Sequence, residues 1–187
     1  MNDSIVILDF SPRNNGNCTK IGEYIENYYK RTNVRLYKMN TKNILPCHDC
    51  NYECLRRGAV CPSITEHLIE VMDRICSSDM VIPNFCGYPN ANYFAFNERS
   101  VGYFNCDQSK MNLYMSVRKR FIIVSNTESD TFRDAMKQQT LSEPEVLYLK
   151  SSKYGKRSID GDILESADVK KDLEAFLAEN SEIPLDE

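Results

Sequence analysis

Residues Ile5-Val-Ile-Leu-Asp-Phe10, followed by Ser11-Pro-Arg-Asn-Asn-Gly-Asn-Cys-Thr19, restrict the possible folds more than any other stretch. A short β-branched run halted by a Pro/Asn/Gly cluster reads as a buried strand ending in a loop. Beyond the loop, Ile21, Tyr24, Ile25 and Tyr28 recur at three- and four-residue spacing, which marks an amphipathic helix. In open α/β proteins, a loop that leaves the first strand and opens a helix is where anionic ligands bind. The free N–H groups and positive dipole end of such a helix favour a phosphate. Ser11 and Thr19 add hydroxyls, Arg13 a guanidinium, and Asn15 and Asn17 amides. No lysine follows a second glycine as in a triphosphate loop, and Gly-x-Gly-x-x-Gly is missing. The pattern therefore points to a terminal phosphate rather than a triphosphate or a pyrophosphate.

Further along, apolar runs alternate with helical periods. Val34 to Lys38 alternates as an outer strand would. Ile64, Leu68, Ile69, Met72 and Ile75 form a helical face, with Ser63 as its expected cap and Glu66 three residues on. Met80 to Phe85 reads as a third strand, and Tyr93 to Ser116 as helix in pieces, broken near Gly102 to Asn105. Phe121 to Val124 is a compact buried strand, Phe132 to Gln138 a short helix and Val146 to Leu149 a fifth strand. A last helix covers Ala167 to Ala178, and an acidic tail follows. Strands alternating with helices imply an α/β fold with a parallel sheet covered on both faces.

With 187 residues the chain has room for one core rather than two. We expect a single domain over 1–187, with a cysteine-rich loop inserted at about 44–62. The net charge is −4 with both signs interspersed, so no nucleic-acid partner is expected, and Arg118-Lys-Arg120 reads as a solvated strand entry. No apolar stretch approaches the roughly eighteen residues of a membrane span, and no signal pattern opens the chain. A cytoplasmic protein without a membrane partner is expected.

Four of the eight cysteines lie in Cys47-x2-Cys50-x3-Cys54-x6-Cys61. Four soft thiolates on one loop suit a [4Fe–4S] cluster or a tetrahedral zinc, and thiols that only pack the loop are the remaining alternative. His48 could replace one of them. Cys76 reads as a small core residue, and His67 as half-packed surface.

The Ser-Pro-Arg-x-x-Gly-Asn loop after a first strand resembles that of the flavodoxin-like NAD(P)H-dependent FMN reductases, and the cysteine loop is similar to that of the iron–sulfur flavoprotein branch. The resemblance continues in Ile82-Pro-Asn-Phe-Cys-Gly87 and in Phe94-Ala-Phe-Asn-Glu-Arg99. It implies a flavodoxin-like three-layer sandwich, a five-stranded parallel sheet of order 2-1-3-4-5 with helices on both faces. It implies FMN phosphate on Ser11, Arg13, Asn15, Gly16, Asn17, Cys18 and Thr19. The isoalloxazine would lie against Pro83, Asn84, Phe85, Cys86 and Gly87, with Ser125, Asn126 and Thr127 at its edge. The cluster would sit on Cys47, Cys50, Cys54 and Cys61 near the flavin. NAD(P)H is the implied donor, and a homodimer or higher homo-oligomer, or an electron-carrier protein, the implied partner. Phe10 stands where a glycine is usual, Cys18 where a hydroxyl is usual, and Ile82 has lost a hydroxyl. The cysteine spacing carries one extra residue between Cys50 and Cys54.

No side chain stands out as a catalytic acid or base, because hydride chemistry belongs to the flavin. The sequence supports an FMN-binding redox protein, either an NAD(P)H-dependent oxidoreductase or an electron-transfer iron–sulfur flavoprotein. The alternative is a flavodoxin-like scaffold that has lost flavin and whose cysteine loop binds metal or a protein partner. A quinone or azo-compound reductase without a cluster is a third reading.

Overall fold

A computed structural model describes residues 4–29, 33–41, 44–47, 50–56, 58–85, 91–105, 107–126, 130–137, 141 and 143–178, with backbone alone at 41, 79–85, 130–132 and 135. The strands are β1 (Ser4–Asp9), β2 (Asn33–Lys38), β3 (Asp79–Phe85), β4 (Lys119–Ser125) and β5 (Glu145–Lys150). All pairings are parallel, in the order β2-β1-β3-β4-β5. The helices are α1 (Asn17–Tyr28), α2 (Glu66–Ile75), α3 (Ala91–Phe104), α4 (Gln108–Ser116), α5 (Asp130–Lys137) and α6 (Ala167–Ala178).

Period-two alternation sorts the strand side chains into two cores. Ile5 and Ile7 of β1, with Ile122 and Val124 of β4, pack under Ile21 and Ile25 of α1 and Val169, Leu173 and Leu177 of α6. Val6, Leu8 and Phe10, with Phe121 and Ile123, face α2, α3 and α4 through Met72, Ile75, Phe96, Phe104 and Tyr114. Burying each such side chain contributes about 1.5–3 kcal/mol. Among the described residues, no helix is long and apolar enough to cross a membrane.

Several expectations are corrected in detail. Thr65 rather than Ser63 caps α2, its hydroxyl accepting from the Leu68 N–H at 3.3 Å, because the helix starts at Glu66. The break between α3 and α4 comes after Phe104, where Asp107 caps α4 by accepting from the N–H groups of Ser109 and Lys110. Gly102 therefore lies inside α3.

The basic triplet is not a solvated entry either. β4 is buried along its whole length, and Lys119 and Arg120 are each 2% exposed. Their long side chains reach carbonyls at helix ends, Lys119 Nζ to Tyr114 at 2.6 Å and Arg120 to Leu177 at 3.1 Å. Burial pushes the Lys119 ammonium down to about 8. Arg118 pairs with Glu145 at 2.5 Å.

Phe10 fills the core rather than the ligand side of the loop. It is 1% exposed and makes edge contacts with Tyr93 at 5.2 Å and Phe96 at 5.6 Å. Phe10→Ala is expected to destabilise the chain by about 3–5 kcal/mol, read from the urea midpoint at unchanged slope. A loss under 1 kcal/mol contradicts this placement.

Candidate functional site

Because the strands are parallel, the chain leaves every one of them at the same edge of the sheet. β1 stands between β2 and β3, so the connection from β1 runs one way and the rest of the sheet grows the other. The β1–α1 loop lies at this switch point. The ends of β3 at Phe85 and of β4 at Ser125 lie beside it, Phe85 being in register with Val124. Pro83, Asn84 and Phe85 thus belong to the same edge by backbone position, Ser125 is buried there and Asn126 is exposed. Cys86, Gly87 and Thr127 lie outside the described residues, as do His48 and Cys106.

The β1–α1 loop is organised by a residue the motif reading passed over. Asp9, 1% exposed, accepts from the Ser11 N–H at 2.8 Å and from the Thr19 hydroxyl at 2.7 Å. Burial pushes its carboxyl up, and the bonds from Thr19 and Ser11 oppose the rise. Its position inside an otherwise apolar run was the available signal. The Thr19 hydroxyl also lies 2.9 Å from the Arg13 carbonyl, which accepts from the Ser11 hydroxyl at 3.1 Å.

A second unforeseen feature is the strap between β5 and α6, which lies on the loop from above. Arg13 donates to the Ile159 carbonyl at 2.6 Å, and Lys20 donates to the Gly161 carbonyl. Asn17 donates to the Ser158 carbonyl at 2.9 Å and accepts from the Ile163 N–H at 3.1 Å. Gly161 has φ +77, and a Cβ there would stand 2.9 Å from the Asn15 carbonyl, so only glycine suits the contact. Arg13 and Asn17, expected on a phosphate, thus face the strap. Asn15 is exposed, and Gly16 and Cys18 are buried where α1 begins. Gly16 precedes the first turn of α1, and no side chain caps that turn. The Gly16 N–H donates to the Arg13 carbonyl at 3.4 Å, and the first turn of α1 presents the positive dipole end that suits an anion.

The cysteine loop leaves the same edge, from β2, and lies against α3. Cys61 is buried, Cys50 and Cys54 are half-buried and Cys47 is exposed; all four are free thiols. Gly102 allows the approach: a Cβ there would meet Cys61 Cβ at 3.3 Å and Cys54 Sγ at 3.5 Å. Glu98 accepts from the Cys47 N–H at 2.8 Å, and Asn105 donates to the Cys54 carbonyl at 2.9 Å. The extra residue between Cys50 and Cys54 is absorbed by two left-handed residues, Asn51 (φ 50) and Tyr52 (φ 54), then a 3-10 turn at Glu53–Leu55. A bulky residue such as Tyr52 rarely adopts this conformation. Burial, and then the charges of Cys61, Cys50 and Cys47, push the Cys54 thiol up. Among the described residues, no three His, Cys, Asp or Glu side chains converge on the position of a single metal ion. Cys76 is half-buried, its thiol 3.8 Å from the Lys110 carbonyl, and the His67 ring lies beside Tyr37 at 5.9 Å.

Two solved structures share this fold. Smu.1420 from Streptococcus mutans UA159 is 14% identical with a TM-score of 0.62, over 92% of this chain and 98% of that one. A candidate quinone reductase from Klebsiella pneumoniae is 8% identical with a TM-score of 0.62, over 93% of this chain and 83% of that one. No protein-family model and no curated protein sequence matches the chain. At these identities the likeness establishes a shared α/β fold.

Two measurements test the loop. Asn17→Ala strands the Ser158 carbonyl and the Ile163 N–H, and is expected to cost about 2–4 kcal/mol in urea unfolding; an unchanged midpoint contradicts the strap contacts. The folded chain holds the Asp9 proton more tightly than the unfolded chain does. The Asp9 contribution to wild-type stability should therefore decline as pH rises from the ordinary carboxylate range through the raised native value. Asp9→Asn should remove that decline, so the wild-type-minus-variant difference in unfolding free energy falls with rising pH. A difference that grows with pH contradicts the assignment.

Proposed function

We propose that the chain is an FMN-binding redox protein of the flavodoxin-like type, with a [4Fe–4S] cluster on its cysteine loop. The observation that carries the flavin reading is the convergence of the β1, β3 and β4 ends at one edge, beside the uncapped start of α1. The candidate quinone reductase among the structural neighbours supports redox chemistry on this fold.

The first turn of α1, from Gly16 to Thr19, would face the phosphate with the positive end of the helix dipole, while Arg13 and Asn17 brace the strap. Pro83 to Gly87 and Ser125 to Thr127 would border the ring. When bound, FMN accepts two electrons as hydride and releases them singly, which links a nicotinamide donor to a one-electron cluster. Cys47, Cys50, Cys54 and Cys61 would hold the cluster. Four soft thiolates carried on one loop are a donor set that a [4Fe–4S] cluster takes. Exposed Leu45, Tyr52, Leu55 and Val60 on the loop, with Phe94 and Val101 on α3, support association with a second copy.

A second reading, a scaffold without flavin, is favoured by one observation. Ser11, Arg13, Asn17 and Thr19 each commit a side-chain donor to a partner inside the chain. Titration with FMN and with riboflavin, followed by quenching of flavin fluorescence, separates the two. Gly16→Asp would cap α1 and place a carboxylate where the phosphate should go. FMN is expected to bind the wild type and to lose at least tenfold in affinity to Gly16→Asp, with riboflavin little changed. No quenching of either flavin by the wild type supports the scaffold.

A further inference from the structure

Arg99 is 2% exposed and lies on α3 against the cysteine loop. Its donors are shared between the two ends of that loop. Nε reaches the Leu45 carbonyl at 2.8 Å and one terminal nitrogen the Pro46 carbonyl at 2.5 Å, just before Cys47. The other terminal nitrogen points at Cys61 Sγ, 3.1 Å away, at the far end of the loop. Among the described residues, no carboxylate forms an ion pair with this guanidinium. The neighbouring Glu98 carboxylate is turned instead to the Cys47 N–H. A guanidinium stays charged in a protein, and a buried charge needs a compensating one. Carbonyl dipoles help, but among the described residues the one hydrogen-bond partner able to carry negative charge is the Cys61 sulfur.

We propose that Arg99 is a positioning residue and charge partner for an anionic four-sulfur site, closing the loop from Leu45–Pro46 to Cys61 and donating a hydrogen bond to a ligand sulfur. The proposal rests on the cluster reading above and adds a residue outside the ligand set. It explains why a charged side chain is buried at this point of α3, and why α3 carries Gly102 one turn later, where Cys54 and Cys61 press against the helix. Cluster potentials depend on net charge and on hydrogen bonds to the sulfurs. Positive charge at Cys61 favours the more negative, reduced state, so its removal should lower the potential.

The test uses the full chain reconstituted with iron and sulfide without oxygen, as wild type, Arg99→Lys and Arg99→Gln. Reduction is followed by visible absorbance against a potential series, and iron retention by release to a ferrous chelator. Arg99→Gln is expected to shift the electron-binding equilibrium at least tenfold toward the oxidised state, about 59 mV for one electron, and to release iron at least tenfold faster. Arg99→Lys keeps the charge but cannot span two carbonyls and the sulfur. It is expected to hold a potential nearer the wild type while still releasing iron faster. A role in loop packing alone would change release and leave the potential unmoved, and that result overturns the proposal while the cluster stands. A wild type that takes up no iron overturns the cluster reading and this proposal with it. If Arg99→Gln does not fold, Arg99→Met, which also removes the charge, takes its place in the potential series, and an unmoved potential overturns the proposal.

Discussion

Parallel pairing of β1 with both β2 and β3 is the constraint on which the other features depend. It buries β1 on both faces, so Ile5 and Ile7 serve one core while Val6, Leu8 and Phe10 serve the other. It also brings the strand ends to one edge, where each connection has to turn back over the sheet. The apolar core is thus separated from a polar rim by the length of a strand. At that rim the β1–α1 loop and the cysteine loop leave neighbouring strands.

Two polar braces hold the rim, and each sits where a loop would otherwise leave buried groups unmatched. Asp9 gathers Ser11 and Thr19 from below, while the Ser158–Ile163 strap engages Arg13, Asn17 and Lys20 from above. On the cysteine loop the same task falls to Arg99, with Glu98 and Asn105 at its sides. The strap and Arg99 come from elements distant in sequence from the loops they hold, whereas Asp9 lies just before its loop. Contacts within the chain thus fix both loops, with the first turn of α1 and the cysteine thiols at the rim.

The strands and most helices were legible in the sequence because period and breakers suffice for them: β1 ends at the Pro/Asn/Gly cluster and α6 covers Ala167–Ala178. Ser63 was misread because Ser63 and Thr65 are both competent caps, and local pattern does not choose between them. Arg118-Lys-Arg120 was misread because charge predicts solvent, whereas Lys119 and Arg120 reach carbonyls at the ends of α4 and α6. In the candidate site, the loop and the four cysteines were visible as motifs. The strap and the role of Arg99 were not, since each depends on a contact made across the fold; Asp9 was marked only by its place inside an apolar run. Arg13 and Asn17 show the limit most clearly: their types suit a phosphate, and the structure turns their side chains to the strap.

The central claim is that this rim holds a flavin and a thiolate-bound iron cluster together. The most direct test is the visible spectrum of the full chain expressed with an iron supply and purified without oxygen. The account predicts two flavin bands above a broad thiolate–iron absorption that dithionite bleaches. A colourless protein that takes up neither added FMN nor iron contradicts it.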